Sequence, residues 1–255
     1  MSRDAQPGAP SHSFGQIALD YDRYRPAPPS EALSWLLPEA AHDVLEIGAG
    51  TGLLTRQLVA RATTVRALEP DPRMREVLAA RAPGAEVLAG YAEALPVADA
   101  SVDCVIASSA WHWVDEERAV PEVARVLRPG GYLSLLWNGP DRNVPWVRGL
   151  WAGGQDLSEE QATVVDARRR ERHQVHLGAR SSFHHLVTRM IRWSSEVSKP
   201  DLIGWVGTYS AVLTMEATER SRYLEAVARY LAAHEPEREV LTLPMRCLCW
   251  RATRL

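Results

Sequence analysis

The apolar positions of this chain follow two alternating periods. Val44-Leu45-Glu46-Ile47 is a short apolar run carrying one acid, and it breaks into glycines at 48, 50 and 52. Leu53, Leu54, Leu58 and Val59 then recur at the spacing of a helix face. The change of period repeats downstream. Thr64-Val65-Arg66-Ala67-Leu68 reads as a second strand, and Asp71-Pro72 opens a helix with Asp71 as N-cap. Glu86 to Ala89, Val102 to Ala107 and Tyr132 to Trp137 predict strands three, four and five. Ala119, Val120, Val123, Ala124 and Leu127 keep helical spacing up to the stop Arg128-Pro129-Gly130-Gly131. Strands alternating with helices argue for βαβ units, hence an α/β fold with a parallel sheet.

The flanks follow the same logic. A helix is expected from Ser30, with Ser30 as N-cap and Ala32, Leu33, Leu36 and Leu37 on one side. Met190 to Val197 reads as strand six, and Val240 to Arg251 as a closing strand. Between them Asp201 begins one helix, and Tyr223, Leu224, Val227, Tyr230 and Leu231 mark another. Composition shifts between about 140 and 193, where Trp146, Trp151 and Phe183 alternate with a basic helix, Arg168 to Arg172. His173, His176, His184 and His185 fall in the same stretch, with His185 and Arg189 at one-turn spacing. This segment is expected to be a solvated helical lid inserted after strand five, over about residues 140–190. Residues 1–13 read as a disordered tail and 14–255 as one domain.

Composition narrows the class. The 255 residues are 46% hydrophobic and 24% charged, ordinary for a globular chain, and the net charge of −3 makes no electrostatic case for nucleic acid. Three cysteines build no disulfide framework, which points to a reducing, cytoplasmic setting. Cys247 and Cys249 lack partners at zinc spacing, so no metal site is expected. Met1 to His12 are polar with Pro and Gly, unlike a secretory signal, and no apolar run suits a membrane span.

The candidate chemistry gathers where the strands end. A strand, a glycine turn and a helix bind ligands at the strand's carboxyl end. Glycine reaches positive φ there and lets a ligand lie against bare backbone, while the helix N-terminus offers N–H donors. Glu69, at the end of strand two and roughly 20 residues past the glycines, stands where a ribose is held. Met74 either flanks an adenine or packs in the core. Tyr21 and Arg25 form either a packing helix or a cap that aims a guanidinium at a carboxylate.

The glycines do not complete a dinucleotide fingerprint, because Leu53 stands where its third glycine belongs. Instead Glu46-Ile47-Gly48-Ala49-Gly50-Thr51-Gly52 resembles the first motif of class I S-adenosylmethionine-dependent methyltransferases. Gly90-Tyr91-Ala92-Glu93-Ala94-Leu95-Pro96 continues the resemblance, although Tyr91 replaces a frequent Asp, and so does Arg125-Val126-Leu127-Arg128-Pro129-Gly130-Gly131. Trp111-His112-Trp113 after strand four resembles the His-Trp of the type 11 small-molecule branch, and the Tyr…Arg-Pro opening is similar too. The resemblance implies a Rossmann-like, seven-stranded, mostly parallel sheet flanked by helices, with strand seven antiparallel. It implies S-adenosylmethionine as cofactor and S-adenosylhomocysteine as product. Glu46, Gly48 and Gly50 would hold the methionine part, Glu69 the ribose, and Ala92 and Glu93 the adenine side, with Met74 beside the adenine and Pro70 among the cofactor-binding residues. Tyr21 and Arg25 would cap the carboxylate, and Ser108 would lie beside the reactive methyl.

The implied reaction is methyl transfer to a small-molecule acceptor, a carboxylate or hydroxyl oxygen or a thiol sulfur. A carboxylate needs no base, whereas an alcohol or phenol would benefit from His112; a stacked, structural His112 is the alternative. Carbon methylation, a non-catalytic cofactor-binding protein and a nicotinamide-dependent oxidoreductase are the competing classes. The lack of Asn/Asp-Pro-Pro-Tyr after strand four argues against adenine or glutamine nitrogen as acceptor.

Overall fold

The computed structural model describes residue 15, residues 17–178 and residues 182–255, without the side chains of 165, 166, 168–170 and 172. The expected tail over residues 1–13 lies outside these. Five strands run parallel: β1 (Asp43–Ile47), β2 (Thr64–Leu68), β3 (Glu86–Leu88), β4 (Val102–Ser108) and β5 (Leu127–Pro140). β6 (Phe183–Ser198) and β7 (Val240–Arg254) complete one seven-stranded sheet in the order β3-β2-β1-β4-β5-β7-β6, with β7 antiparallel to both neighbours. The helices are α1 (Ala18–Tyr24), α2 (Ser30–Leu36), α3 (Thr55–Leu58), α4 (Pro72–Arg81) and α5 (Glu116–Val126) in the first half. α6 (Pro145–Leu150) and α7 (Glu159–Arg172) lie between β5 and β6. α8 (Lys199–Gly207), α9 (Ser210–Leu213) and α10 (Ala217–His234) lie between β6 and β7. This is the Rossmann-like arrangement that the sequence resemblance implies.

A parallel sheet must be covered on both faces, and the alternation along β1 does this. Leu45 and Ile47 join Val105, Val123 and Leu135 on one face. Val44 joins Leu33, Leu36, Leu58 and Ile106 on the other. Each such buried aliphatic side chain contributes roughly 1.5–3 kcal/mol of transfer free energy. A third cluster ties Val147 and Leu150 of α6 to Leu202 and Trp205 of α8 and to Val227 and Leu231 of α10.

Register sets the position of the site. Ile47 pairs with Leu68 on one side and with Ala107 on the other. Gly48, Glu69 and Ser108 therefore leave the sheet side by side. The chain lays β2 and β3 outward from β1, then returns to start β4 on the opposite flank, so the crevice opens between β1 and β4.

Three expectations change. Ser30 is the first residue of α2, not its cap, and Pro29 takes the cap position without a side-chain bond. α3 is a single turn, too short for a helix dipole to matter. β6 begins at Phe183, so His184, His185 and Arg189 lie on a strand and not on a helical lid. The pairing to β7 overrides the helical spacing there, because β7 supplies a full antiparallel partner from Val240 to Arg254. Arg172 and Arg168–Arg170 fall in α7, and their side chains lie outside the described residues. Among the described residues no helix is long and apolar enough to cross a membrane.

Candidate active site

The glycine loop is held by its neighbours across the sheet end. Gly48 (φ 65°), Gly50 (φ 59°) and Gly52 (φ 91°) all take left-handed backbone, which explains the residue type at each position. The Gly48 and Ala49 amides both donate to the Leu68 carbonyl, at 2.8 and 3.1 Å. Glu69 completes the clamp. Its Oε2 accepts from the Gly50 amide at 2.9 Å and its Oε1 from the Asp71 amide at 3.0 Å. Burial pushes the Glu69 carboxyl up, against the opposing pull of these two amides and of Arg75. The Arg75 guanidinium also donates to the carbonyls of Glu69 and Pro70, and Asp71 caps α4 as its sequence predicts.

Glu46 sits behind this loop. It is 1% exposed, and its Oε2 accepts from the Thr55 hydroxyl at 2.6 Å. Burial, reinforced by the charge of Glu69 and opposed by the Thr55 bond, pushes its carboxyl up to about 8.

A cavity of about 480 Å³ opens above the strand ends. Tyr21, Arg25, Gly48, Gly50, Glu69, Pro70, Met74, Ala92, Glu93, Ser108 and His112 all border it. Glu46 lies behind the loop and is not among the residues that border the cavity. Glu93 turns its carboxylate to the Asp115 amide, 2.8 Å away, and so joins the turn after β3 to the start of α5. Arg25, the residue after α1, is fixed by Thr208: Nε donates to its Oγ1 at 2.9 Å and Nη2 to its carbonyl at 3.1 Å. The same guanidinium lies over the rings of Tyr21 and Tyr209, at 4.8 and 4.4 Å.

The Trp111–Trp113 segment forms one 3-10 turn. Trp111 is buried and donates to Glu116 Oε1 at 2.6 Å. His112 Nδ1 accepts from Trp137 Nε1 at 3.4 Å, and the Trp137 ring faces that of His173 at 5.0 Å. Indole N–H can only donate, so this bond uses the Nδ1 lone pair, and a base acting through Nδ1 would have to give it up. Glu116 also accepts from the amide and Nδ1 of His176, joining α5 to the loop after α7. Among the described residues no group of three His, Cys, Asp or Glu gathers as a metal site.

Sequence reasoning gives no site role to Arg142, Tyr209, Tyr223 and Arg246, which line the cavity together with Trp151 of the expected lid. Arg142 carries one usable signal, since it lies in the loop at the carboxyl end of β5. The others carry none.

Residues 45–135 match a family model described as a methyltransferase domain. Over 245 residues the chain is 41% identical to an uncharacterized methyltransferase of Mycobacterium tuberculosis, covering 95% of this chain and 96% of that one. A malonyl-[acyl-carrier protein] O-methyltransferase of Methylococcus capsulatus is 39% identical over 151 residues, 54% of each chain. Among solved structures, a type II methyltransferase candidate from Anaeromyxobacter dehalogenans aligns with a TM-score of 0.66 at 25% identity, covering 91% of this chain and 98% of that one.

The buried acids make stability depend on pH. The folded state keeps a proton on Glu46 that the unfolded chain releases near 4.5, so stability falls as pH rises from there to about 8. Glu46→Gln keeps an acceptor for Thr55 and removes that contribution. Urea unfolding at pH 5, 6, 7 and 8 is expected to show a shallower decline in the variant than in wild type; equal slopes would refute the assignment.

Proposed function

The chain belongs to the class I S-adenosylmethionine-dependent methyltransferases, and we propose that it methylates an oxygen or sulfur atom of a small-molecule acceptor. The observation that carries this reading is the continuity of one cavity from the Gly48–Gly50 loop to the aromatic wall of Trp113, Trp151 and Tyr209. Cofactor and acceptor would meet end to end inside it.

The residues present fit the cofactor. A Cβ built on Gly50 meets nothing within 4 Å, which leaves open space against its backbone. Each Glu69 oxygen accepts one backbone N–H and keeps a lone pair for a ribose hydroxyl. Pro70 and Met74 line the cavity and would flank the adenine side, and the buried Ala92 would offer backbone to its edge. Tyr21, Arg25 and Gly48 would hold the methionine part, and Ser108 would lie on the side of the methyl. Glu93 shapes the adenine turn through Asp115. When bound, S-adenosylmethionine supplies a methyl group already activated by its sulfonium charge.

The chain then has to align an acceptor and exclude water, and alignment alone can supply a large part of the acceleration. The contact from Trp137 supports the structural reading of His112, a ring that holds that indole at the cavity wall. An acceptor that is ionised near neutral pH, a carboxylate or a readily formed thiolate, needs nothing more. The relative named for malonyl-[acyl-carrier protein] O-methylation supports an oxygen acceptor.

Three expected outcomes test this. In calorimetric titrations S-adenosylmethionine and S-adenosylhomocysteine bind at micromolar concentration and NAD does not; Glu69→Ala weakens both by at least tenfold, and unchanged affinity removes its assignment. Gly50→Ala costs about 1–2 kcal/mol from its left-handed backbone yet loses at least tenfold in S-adenosylhomocysteine affinity. Gly48→Ala is the less stable of the two in thermal unfolding, because its Cβ would meet that of Ala110 at 2.5 Å. In long-range ¹H–¹⁵N spectra of labelled protein, His112 shows a protonated Nε2 and an unprotonated Nδ1, and the opposite tautomer would restore the base role.

A further inference from the structure

At the far end of the cavity stands a cation that no anion neutralises among the described residues. Arg142 follows β5, in a loop pinned by the Asp141 amide donating to the Pro244 carbonyl at 2.8 Å and the Val144 amide donating to the Asp141 carbonyl at 3.0 Å. Its guanidinium lies 5.5 Å from the ring centroid of Trp151 and 5.3 Å from that of Tyr209. Its charge also acts on the half-buried phenol of Tyr223. Among the described residues no carboxylate lies within ion-pairing distance of Arg142. Asp141 next to it accepts from the Asn143 amide and lies 4.0 Å from Arg192 instead.

The other arginine on Tyr209 shows the contrast. Arg25 spends its Nε and one Nη on Thr208, whereas Arg142 is held by ring faces that leave its N–H edges unspent. A guanidinium stacked on aromatic rings and partly withdrawn from water is oriented by them but not neutralised. Its fork matches the two oxygens of a carboxylate, and charge-assisted bonds of that kind are the stronger ones. Around Arg142 stand Trp151, Tyr209 and Tyr223, and Trp113 also lines the cavity, so aromatic surface is available for an apolar or aromatic body.

We propose that Arg142 selects the acceptor, binding a carboxylate on a small molecule whose apolar body packs against Tyr209 and Trp113. The proposal rests on the reading of this cavity as the methyltransferase site. Arg142 acts in specificity, holding one end of the acceptor while the atom that takes the methyl lies nearer Ser108.

The test uses the full chain saturated with S-adenosylhomocysteine and titrated by calorimetry with benzoate, 3-phenylpropionate, 4-phenylbutyrate and octanoate, each beside its amide. At least one acid is expected to bind tenfold or more tightly than its amide. Arg142→Gln should bring that pair within twofold of each other, with melting temperature and S-adenosylhomocysteine affinity close to wild type. Arg142→Lys, which keeps the charge and loses the fork, should fall between. Four results would overturn the proposal: no acid binding, amides binding as well as acids, the preference surviving in Arg142→Gln, or that variant losing S-adenosylhomocysteine instead. Failure of wild type to bind S-adenosylhomocysteine would refute the cofactor assignment itself, and this proposal with it, and so separates the two.

Discussion

A buried carboxylate has to take hydrogen bonds from whatever donors surround it, and Glu69 takes them from two turns at once. One oxygen holds the amide of Gly50 and the other that of Asp71, so the loop after β1 and the loop after β2 are fixed to each other. Neither bond is strong in isolation; its weight comes from the cost of leaving a buried acceptor unmade. With those amides held, Gly48 to Gly52 cannot relax outward, and Asp71 is delivered in place to cap α4. The shape of the site depends on this single side chain more than on the glycines, which permit the loop but do not hold it. Glu46 has a related role in the layer beneath. It accepts from Thr55 and anchors the single turn of α3, so both acids act on the loop and only Glu69 also faces the cavity.

The sheet supplies what the loop cannot, a common level for three strand ends. Because Ile47 is in register with both Leu68 and Ala107, the residues that follow emerge in a row. β5 extends that row, since Ser108 pairs with Leu136 and the next residues are Trp137 and Asn138. Asn138 in turn accepts from Trp193 and donates to the carbonyls of Pro26 and Ala27, which brings the segment bearing Arg25 over the crevice. Hydrogen bonds between elements distant in sequence thus carry the cap to a place that the sheet register has already defined.

This division explains what is legible in the sequence. β2, the Asp71 cap and the glycine loop are decided by local chemistry: apolar period, capping geometry and backbone sterics all act within a few residues. Glu69 is legible for the same reason, by its fixed offset from the glycines. The bond from Thr55 to Glu46 is not legible, because spacing does not say on which side of a loop a side chain lies. His185 and Arg189 fall at helical spacing, yet the partner that makes the segment a strand, β7, lies roughly sixty to seventy residues away. Arg142 and Tyr209 belong together only after α8 and α9 have folded back over β5, and no local pattern announces that contact.

The Trp-His-Trp run shows how much of a short motif is decided by the turn it forms. A 3-10 turn has about three residues per turn, so three consecutive side chains radiate in three directions. Trp111 goes into the core and binds Glu116, His112 turns to Trp137, and Trp113 reaches the cavity rim. The histidine therefore belongs to a wall. Glu116 extends that wall to His176, and Trp137 extends it to His173, so two contacts bring the segment after α7 against the site. In such an arrangement His112 and His173 hold the Trp137 indole from two sides. That suits a reaction whose electrophile arrives activated, where an ionised acceptor needs a fixed direction of approach and a dry path more than it needs a proton removed.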